Sequence, residues 1–256
     1  MAVRREIRRS SADRTTDPKS SAKETTRKVG VARWAWEWIK SIVIAFSLFL
    51  LIRTFLVEAF RIPTGSMENT LLVGDFLLVN KAVYGAQLPM THSHLPAFDQ
   101  PTRGDVVVFV PPHEPDKNYV KRVIGIAGDT LEMRNKALYL NGKAQTEPYV
   151  RHTDVDNDVY APNMYWQCDF IPRTTESREC RPTRDNWGPL VVPPGKFMML
   201  GDNRDDSEDS RYWGFVDRGA IKGRPLFIYY SFDSSTLRPF PWLTHIRWSR
   251  IGGGIQ

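Results

Sequence analysis

The run Ser41 to Ile52, SIVIAFSLFLLI, carries no charge, and apolar character resumes after Arg53 with Phe55, Leu56 and Val57. Counted from Ile39 to Leu56 the stretch is 18 residues, about 27 Å of helix at 1.5 Å per residue, close to the thickness of a bilayer's hydrocarbon core. Lys40 and Arg53 stand near its ends, where they can snorkel, and Trp34, Trp36 and Trp38 fit an interfacial aromatic belt. Residues 1–40 hold 11 Lys/Arg against 5 Asp/Glu, while the other 216 hold 24 of each (35 − 11 and 29 − 5), so the whole net charge of +6 sits in the N-terminal tail. That location argues against a basic nucleic-acid-binding face and satisfies the positive-inside rule, placing the N-terminus in the cytoplasm and the bulk of the chain on the outer side of the membrane. A removable signal peptide ending at Val57-Glu58-Ala59 is the competing reading; the long basic region and Arg53 disfavour it. The expectation is a basic tail over 1–38 and one transmembrane helix over 39–57.

Beyond Phe60 the apolar segments are short: 76–79, 105–110, 119–126, 137–142, 197–200 and 225–232. Gly74, Gly85, Pro111-Pro112, Gly128, Asn141-Gly142 and Pro193-Pro194-Gly195 punctuate them, and no long amphipathic helix intervenes, which predicts a mainly β fold, a partly closed antiparallel barrel or packed sheets. Residues 143–192 differ in texture, being rich in Asp, Asn, Pro and Arg without sustained alternation. They predict a smaller β-rich subdomain over 131–194, inserted into a β domain made of 58–130 and 195–256. Cys168 and Cys180 fall inside it and are disulfide candidates; two unlinked thiols are the alternative, and spacing does not decide between them.

Three segments carry chemistry. In Arg61-Ile62-Pro63-Thr64-Gly65-Ser66-Met67, a serine follows a glycine whose missing Cβ permits unusual dihedrals and a close substrate approach. In Tyr119-Val120-Lys121-Arg122-Val123, strand alternation puts Tyr119, Lys121 and Val123 on one face and Val120 and Arg122 on the other. A lysine in an apolar setting loses the hydration of its ammonium, its pKa falls, and the neutral amine can take a proton from a serine hydroxyl. The third segment, Gly201 to Gly214, is a dense polar cluster after an apolar strand; counted from Asp202, its sixth and twelfth positions are Ser207 and Trp213 rather than the Gly and Glu of an EF-hand, which disfavours calcium. His92 and His94 lack a clear third ligand, and Asp154, Asp156 and Asp158 read as a polar loop, so no metal or other cofactor is expected. No phosphate-binding G-x-x-x-x-G-K-[ST] occurs, which leaves nucleotide use unsupported.

Taken in order, RIPTGSMENTLLVGDFLLVNKAVYG, YVKRVIGIAGD, GDNRDDSEDSRYWGFV and the ending IRWSRIGGG resemble the motifs of the bacterial type I signal peptidases, also called leader peptidases. The resemblance runs from the apolar stretch through residue 130 and again from about 195, leaving the cysteine-bearing insertion largely uncovered. It implies a membrane-bound serine endopeptidase that removes signal peptides from exported preproteins after Ala-x-Ala-like sites. Ser66 matches the nucleophile, Lys121 the general base, Ser207 the hydroxyl that orients the amine, and Thr64 a hydroxyl that helps the Ser66 N–H stabilise the oxyanion. Asp209 and Arg211 match an ion pair behind the site, and Asp129 a motif position to which the resemblance attaches no role; all three are expected directly behind the residues that react. The chain departs from the commonest pattern at Thr64, Asn69, Ala127 and Asp206. Threonine keeps the hydroxyl donor; a carboxylate at 206 would raise the Lys121 pKa if it pointed inward, so Asp206 is expected to face solvent.

For useful neutral population the lysine pKa must fall by roughly 2 to 3 from its reference of about 10.4. Phe60, Ile62, Met67, Leu71, Tyr119 and Val120 are the expected apolar surroundings and the lining of shallow pockets for small side chains. Phe240, Pro241, Trp242 and Leu243 form an apolar patch with two readings, the membrane interface or the core. The partners implied are signal peptides and membrane lipid. The rival readings are another Ser-Lys peptidase of similar fold, such as a pilus- or conjugation-processing enzyme, and an inactive membrane-tethered binding protein.

Overall fold

In a computed structural model of the chain, the structure describes residues 19–86, 95–154, 158–171, 180–236 and 238–255. The basic tail before Lys19, the His92/His94 pair and Asp156 lie outside the described residues. Helix α1 (Lys19–Phe55) contains a span, Arg33–Phe55, long and apolar enough to cross a membrane. Its 23 residues, none of them buried, come to roughly 34 Å of helix, enough for the hydrocarbon core. Trp34 and Trp38, one helical turn apart, touch each other with ring centroids at 5.9 Å, and they are exposed along with Trp36.

Eleven strands follow among the described residues: β1 (Val57–Arg61), β2 (Asp75–Asn80), β3 (Val106–Phe109), β4 (Tyr119–Gly125), β5 (Thr130–Arg134), β6 (Ala137–Leu140), β7 (Lys143–Ala144), β8 (Trp187–Val191), β9 (Lys196–Leu200), β10 (Val216–Asp217) and β11 (Ile221–Ser231). The short helices α2 (Ser210–Trp213) and α3 (Pro241–Thr244) follow β9 and β11 in the chain. The fold is mainly β. A curled seven-stranded antiparallel sheet runs β1-β2-β11-β3-β4-β9-β10, and a four-stranded antiparallel sheet runs β7-β6-β5-β8. Strand β11 pairs with β2 along one edge and with β3 along the other, and register shifts at Pro225/Phe227 and Ile228/Tyr230 let it bend between them. A Cβ at Gly223 would run into the backbone of Asn80, so glycine is what allows that approach.

Three apolar clusters hold the sheets. Ile62, Met67 and Leu71 pack with Leu77, Val79, Val106, Val108 and Ile228, which pins the serine-bearing loop to the large sheet. Val107, Phe109, Val123, Met199 and Val216 form a second cluster. A third unites Leu131, Met133, Leu138, Trp187 and Leu190 of the small sheet with Ile124, Met198 and Leu200 of the large one, so the two sheets share a core. Strand alternation explains the sorting along β4: Val120 faces the first cluster, Tyr119 and Val123 the second.

Several strands lie outside the segments expected from sequence. Glu58 and Arg61 break the apolar pattern of β1, yet the strand forms by pairing with β2 in full register. Within the polar stretch 143–192, Trp187–Val191 pairs with β5 as β8. A 3-10 helix, Pro162–Phe170, precedes β8, and Cys168 is joined to Cys180 in a disulfide with Cα atoms 5.9 Å apart. Phe240, Trp242 and Leu243 are 50–62% exposed, which removes the core reading of that patch.

Candidate active site

Strand β4 carries Lys121 with its side chain 3% exposed, and the amine's hydrogen-bond partner is Ser207 Oγ at 3.0 Å. The Ser207 hydroxyl in turn donates to Asp209 Oδ2 at 2.7 Å. Asp209 is fully buried at the start of α2, where it receives the Gly201 N–H (3.1 Å), the Arg211 N–H (3.2 Å) and both edges of the Arg211 guanidinium (2.8 Å each). The arginine also donates to the carbonyls of Arg204 and Ser207, closing the 204–211 loop on itself. Asp209 is held well below the usual carboxylate range by the Arg211 charge and its hydrogen bonds, which outweigh the burial that opposes them.

Burial pushes the Lys121 amine down to about 8; Asp209 pulls it back up, the Arg211 charge adds to the fall, and Glu208 and Asp202 pull weakly upward. A pKa of 8 leaves about a tenth of the amine neutral at pH 7, some hundreds of times more than an ordinary lysine offers. The cause expected from sequence, desolvation, is the one found.

Ser66 lines the same cleft as Lys121 and Ser207, a cavity of about 890 Å³. Its loop is tied to the 201–207 segment: Ser66 O accepts from Asn203 N at 3.1 Å, and Gly65 O from Asn203 Nδ2 at 3.3 Å. A Cβ at residue 201 would strike both Ser207 Oγ and Ser66 O, so Gly201 lets the two loops meet. Gly65 does less than expected from sequence. Its φ is not positive, and a Cβ there would make ordinary contact with Asp206 Oδ2 at 3.4 Å. The Ser66 N–H and the Thr64 hydroxyl meet no acceptor among the described residues, which leaves both donors unengaged at residues that line the cleft.

Phe60, Ile62, Met67, Tyr119 and Val120 line the cleft, whereas Leu71 does not. Leu71 is wholly buried because its turn folds it under the serine loop into the first apolar cluster, so its contribution is to packing. Asp129 is a second correction. It lies away from the cleft, taking a two-pronged contact from Arg103 (2.6 and 2.5 Å) plus the Ile126 N–H and Asn141 Nδ2, and so fastens the turn between β4 and β5. Asp206 is exposed at the cleft margin.

Sequence reasoning passed over the residues that join the three motifs. Asp202, fully buried, takes Arg122 Nε (2.8 Å) and Nη2 (2.7 Å) and the Thr70 hydroxyl (2.5 Å), linking the serine loop, the lysine strand and the polar loop. Arg122, adjacent to Lys121 on the opposite face of a strand, was the available signal. A buried charge on that face demands an acid, and the polar loop supplies one.

The signal peptidase, peptidase S26 family matches residues 35–230. The chain is 37% identical to a signal peptidase I of Pseudomonas aeruginosa over 84% of its own length and 78% of the relative's. It is 32% identical to one of Buchnera aphidicola (84% and 81%) and 34% identical to one of Aquifex aeolicus (74% and 82%). A solved signal peptidase I from Enterococcus faecalis matches 49% of the chain at 29% identity, covering 97% of that structure with a TM-score of 0.33.

Proposed function

The chain belongs to the signal peptidase, peptidase S26 family and is a serine peptidase of the signal peptidase I type that removes signal peptides; from that premise we propose that Ser66 and Lys121 do the chemistry. Ser66 Oγ attacks the carbonyl carbon at the end of the signal peptide as the neutral Lys121 amine takes its proton. The ammonium then protonates the leaving amine, the mature protein departs, and the same amine activates the water that hydrolyses the acyl-enzyme. The Ser66 N–H and the Thr64 hydroxyl stabilise the oxyanion. Phe60, Ile62, Met67 and Val120 bound shallow apolar pockets that admit the small side chains of an Ala-x-Ala-like end and exclude larger ones.

The observation that carries this reading is the desolvated Lys121 amine, held 3.0 Å from Ser207 Oγ in the cleft that Ser66 lines. Helix α1 spans the inner membrane once with its basic tail in the cytoplasm, and the β domain works on the outer side, where signal-peptide ends emerge from the lipid. The exposed Phe240, Trp242 and Leu243 side chains of that domain suit contact with the lipid interface.

The test is cleavage of a synthetic peptide with Ala-x-Ala before the scissile bond, followed from pH 6 to 10. The rate per enzyme should rise through an acidic limb centred near 8, and Ser66→Ala should abolish it. Failure to cut any such peptide, or undiminished cutting by Ser66→Ala, would refute the proposal.

A further inference from the structure

The mechanism leaves one part of the cleft lining without a task. Ala161 and Asn163, at the start of the 3-10 helix Pro162–Phe170, line the cleft together with Asp206, Glu208 and Tyr212. That short helix is fixed from behind. Met164 and the Gln167 side chain are wholly buried, and Trp166 Nε1 (3.1 Å) and Gln167 Nε2 (2.8 Å) both donate to the carbonyl of Arg211. Trp166 packs edge-on against Phe215 with ring centroids 5.1 Å apart, and Cys168 near the helix end is bonded to Cys180. Arg211 is also the residue whose guanidinium holds Asp209, and through it Ser207. The helix and the lysine's hydroxyl partner therefore take their positions from one residue.

The large apolar side chains of the cleft lining all come from one side: strand β1, the serine loop and β4 supply Phe60, Ile62, Met67 and Val120, beside the exposed Arg61, Lys117 and Asn118. Apart from Ala161, the 3-10 helix, the 205–208 segment and α2 supply polar side chains, among them Asn163, Glu208 and Tyr212. A peptide bound across Ser66 needs two kinds of surface. Small apolar pockets suit the residues before the scissile bond, while the first residues of an exported protein are not restricted to apolar types and fit polar partners.

We infer that the disulfide-clamped 3-10 helix Pro162–Phe170 is the wall that receives the mature side of the preprotein, with Asn163 in contact with the peptide just beyond the scissile bond. This rests on the peptidase reading above. Gln167 and the disulfide are positioning elements: the first registers the wall on Arg211, and the second keeps the helix end from drifting.

The experiment uses the full chain in detergent and two peptides with the same Ala-x-Ala segment, one ending a single residue after the scissile bond and one continuing for six. The quantity read is the ratio of kcat/KM for the long peptide to that for the short one. The wild-type ratio should be about fivefold or more, the worth of at least one hydrogen-bonding contact. Asn163→Ala and the double variant Cys168→Ser/Cys180→Ser should each bring it toward 1, mainly through a higher KM for the long peptide. Wild-type ratios in these variants would overturn the inference, even with lower absolute rates, because a merely structural disulfide slows both peptides alike. Should the double variant fail to fold, Asn163→Ala decides by the same criterion. If the wild-type enzyme cuts neither peptide, it is the peptidase reading that has failed.

Discussion

Lys121 and Arg122 are neighbours on β4, 3% and 2% exposed, yet the two faces of that strand treat their cations in opposite ways. Arg122 meets both oxygens of Asp202, donates to Gly104 O at 2.7 Å and lies 3.8 Å from the Tyr149 ring centroid. Lys121 meets a hydroxyl, and Asp209, the carboxylate that accepts from that hydroxyl, is itself engaged by Arg211. Burial with a direct countercharge keeps a side chain ionised; burial against a hydroxyl with a distant, shared countercharge drives an amine toward neutrality. The acidic character of the 202–209 loop does not defeat this. Asp202 is taken by Arg122, Asp205 by Lys136 and the N–H groups of Thr153 and Asp154, and Asp209 by Arg211, while Asp206 and Glu208 are exposed.

The comparison breaks most visibly in activity. Lys121→Met and Ser66→Ala should each lower kcat by at least ~10³-fold in a preprotein-processing assay while the protein stays folded. Lys121→Arg should be as inactive, since a guanidinium does not give up its proton.

Stability separates the two faces next. Asp202→Ala strands the buried Arg122 charge and should cost about 3–5 kcal/mol by urea unfolding. Lys121→Met should do the reverse at low pH. The lysine's folded pKa of about 8 lies below its unfolded value near 10.5, so the unfolded chain binds more protons between those values, and wild-type stability falls as pH drops through that window. The methionine variant escapes this loss and should be more stable by roughly 3 kcal/mol below pH 8, with the advantage vanishing as pH rises toward 10.5. An advantage independent of pH would mean that the amine is not desolvated.

Smaller effects sharpen the picture. Ser207→Ala removes the hydroxyl between Lys121 and Asp209 and should reduce kcat by about 10²-fold with little change in KM. Asp206→Asn should change the rate by less than about twofold and leave the acidic limb in place, because the groups that act on Lys121 are Asp209, Arg211, Glu208 and Asp202.

The apolar strand segments, the membrane-length helix and the order of the three motifs were legible because each is a local pattern. Strands β1 and β8 were not, since Glu58, Arg61 and Gly188-Pro189 break the pattern and only pairing with β2 and β5 makes them strands. At the site, strand alternation puts Tyr119 on the Lys121 face, where the amine lies 5.9 Å from its ring centroid, while Leu71 was misplaced because a turn, with no fixed period, decides whether a side chain faces cleft or core. Asp129 sits in a motif and yet serves the β4–β5 turn, a distinction that sequence order alone does not carry. The Arg122–Asp202–Thr70 link spans 132 residues and becomes visible only when the loops are folded together.

The claim beneath all of this is that burial lowers the Lys121 pKa to about 8, so that about a tenth of the amine is neutral at pH 7. Its titration in the folded enzyme, followed by NMR of side-chain-labelled lysines and assigned by the signal missing from Lys121→Met, tests that directly. A midpoint near 8 is the expected result; one near 10.5 would contradict the account.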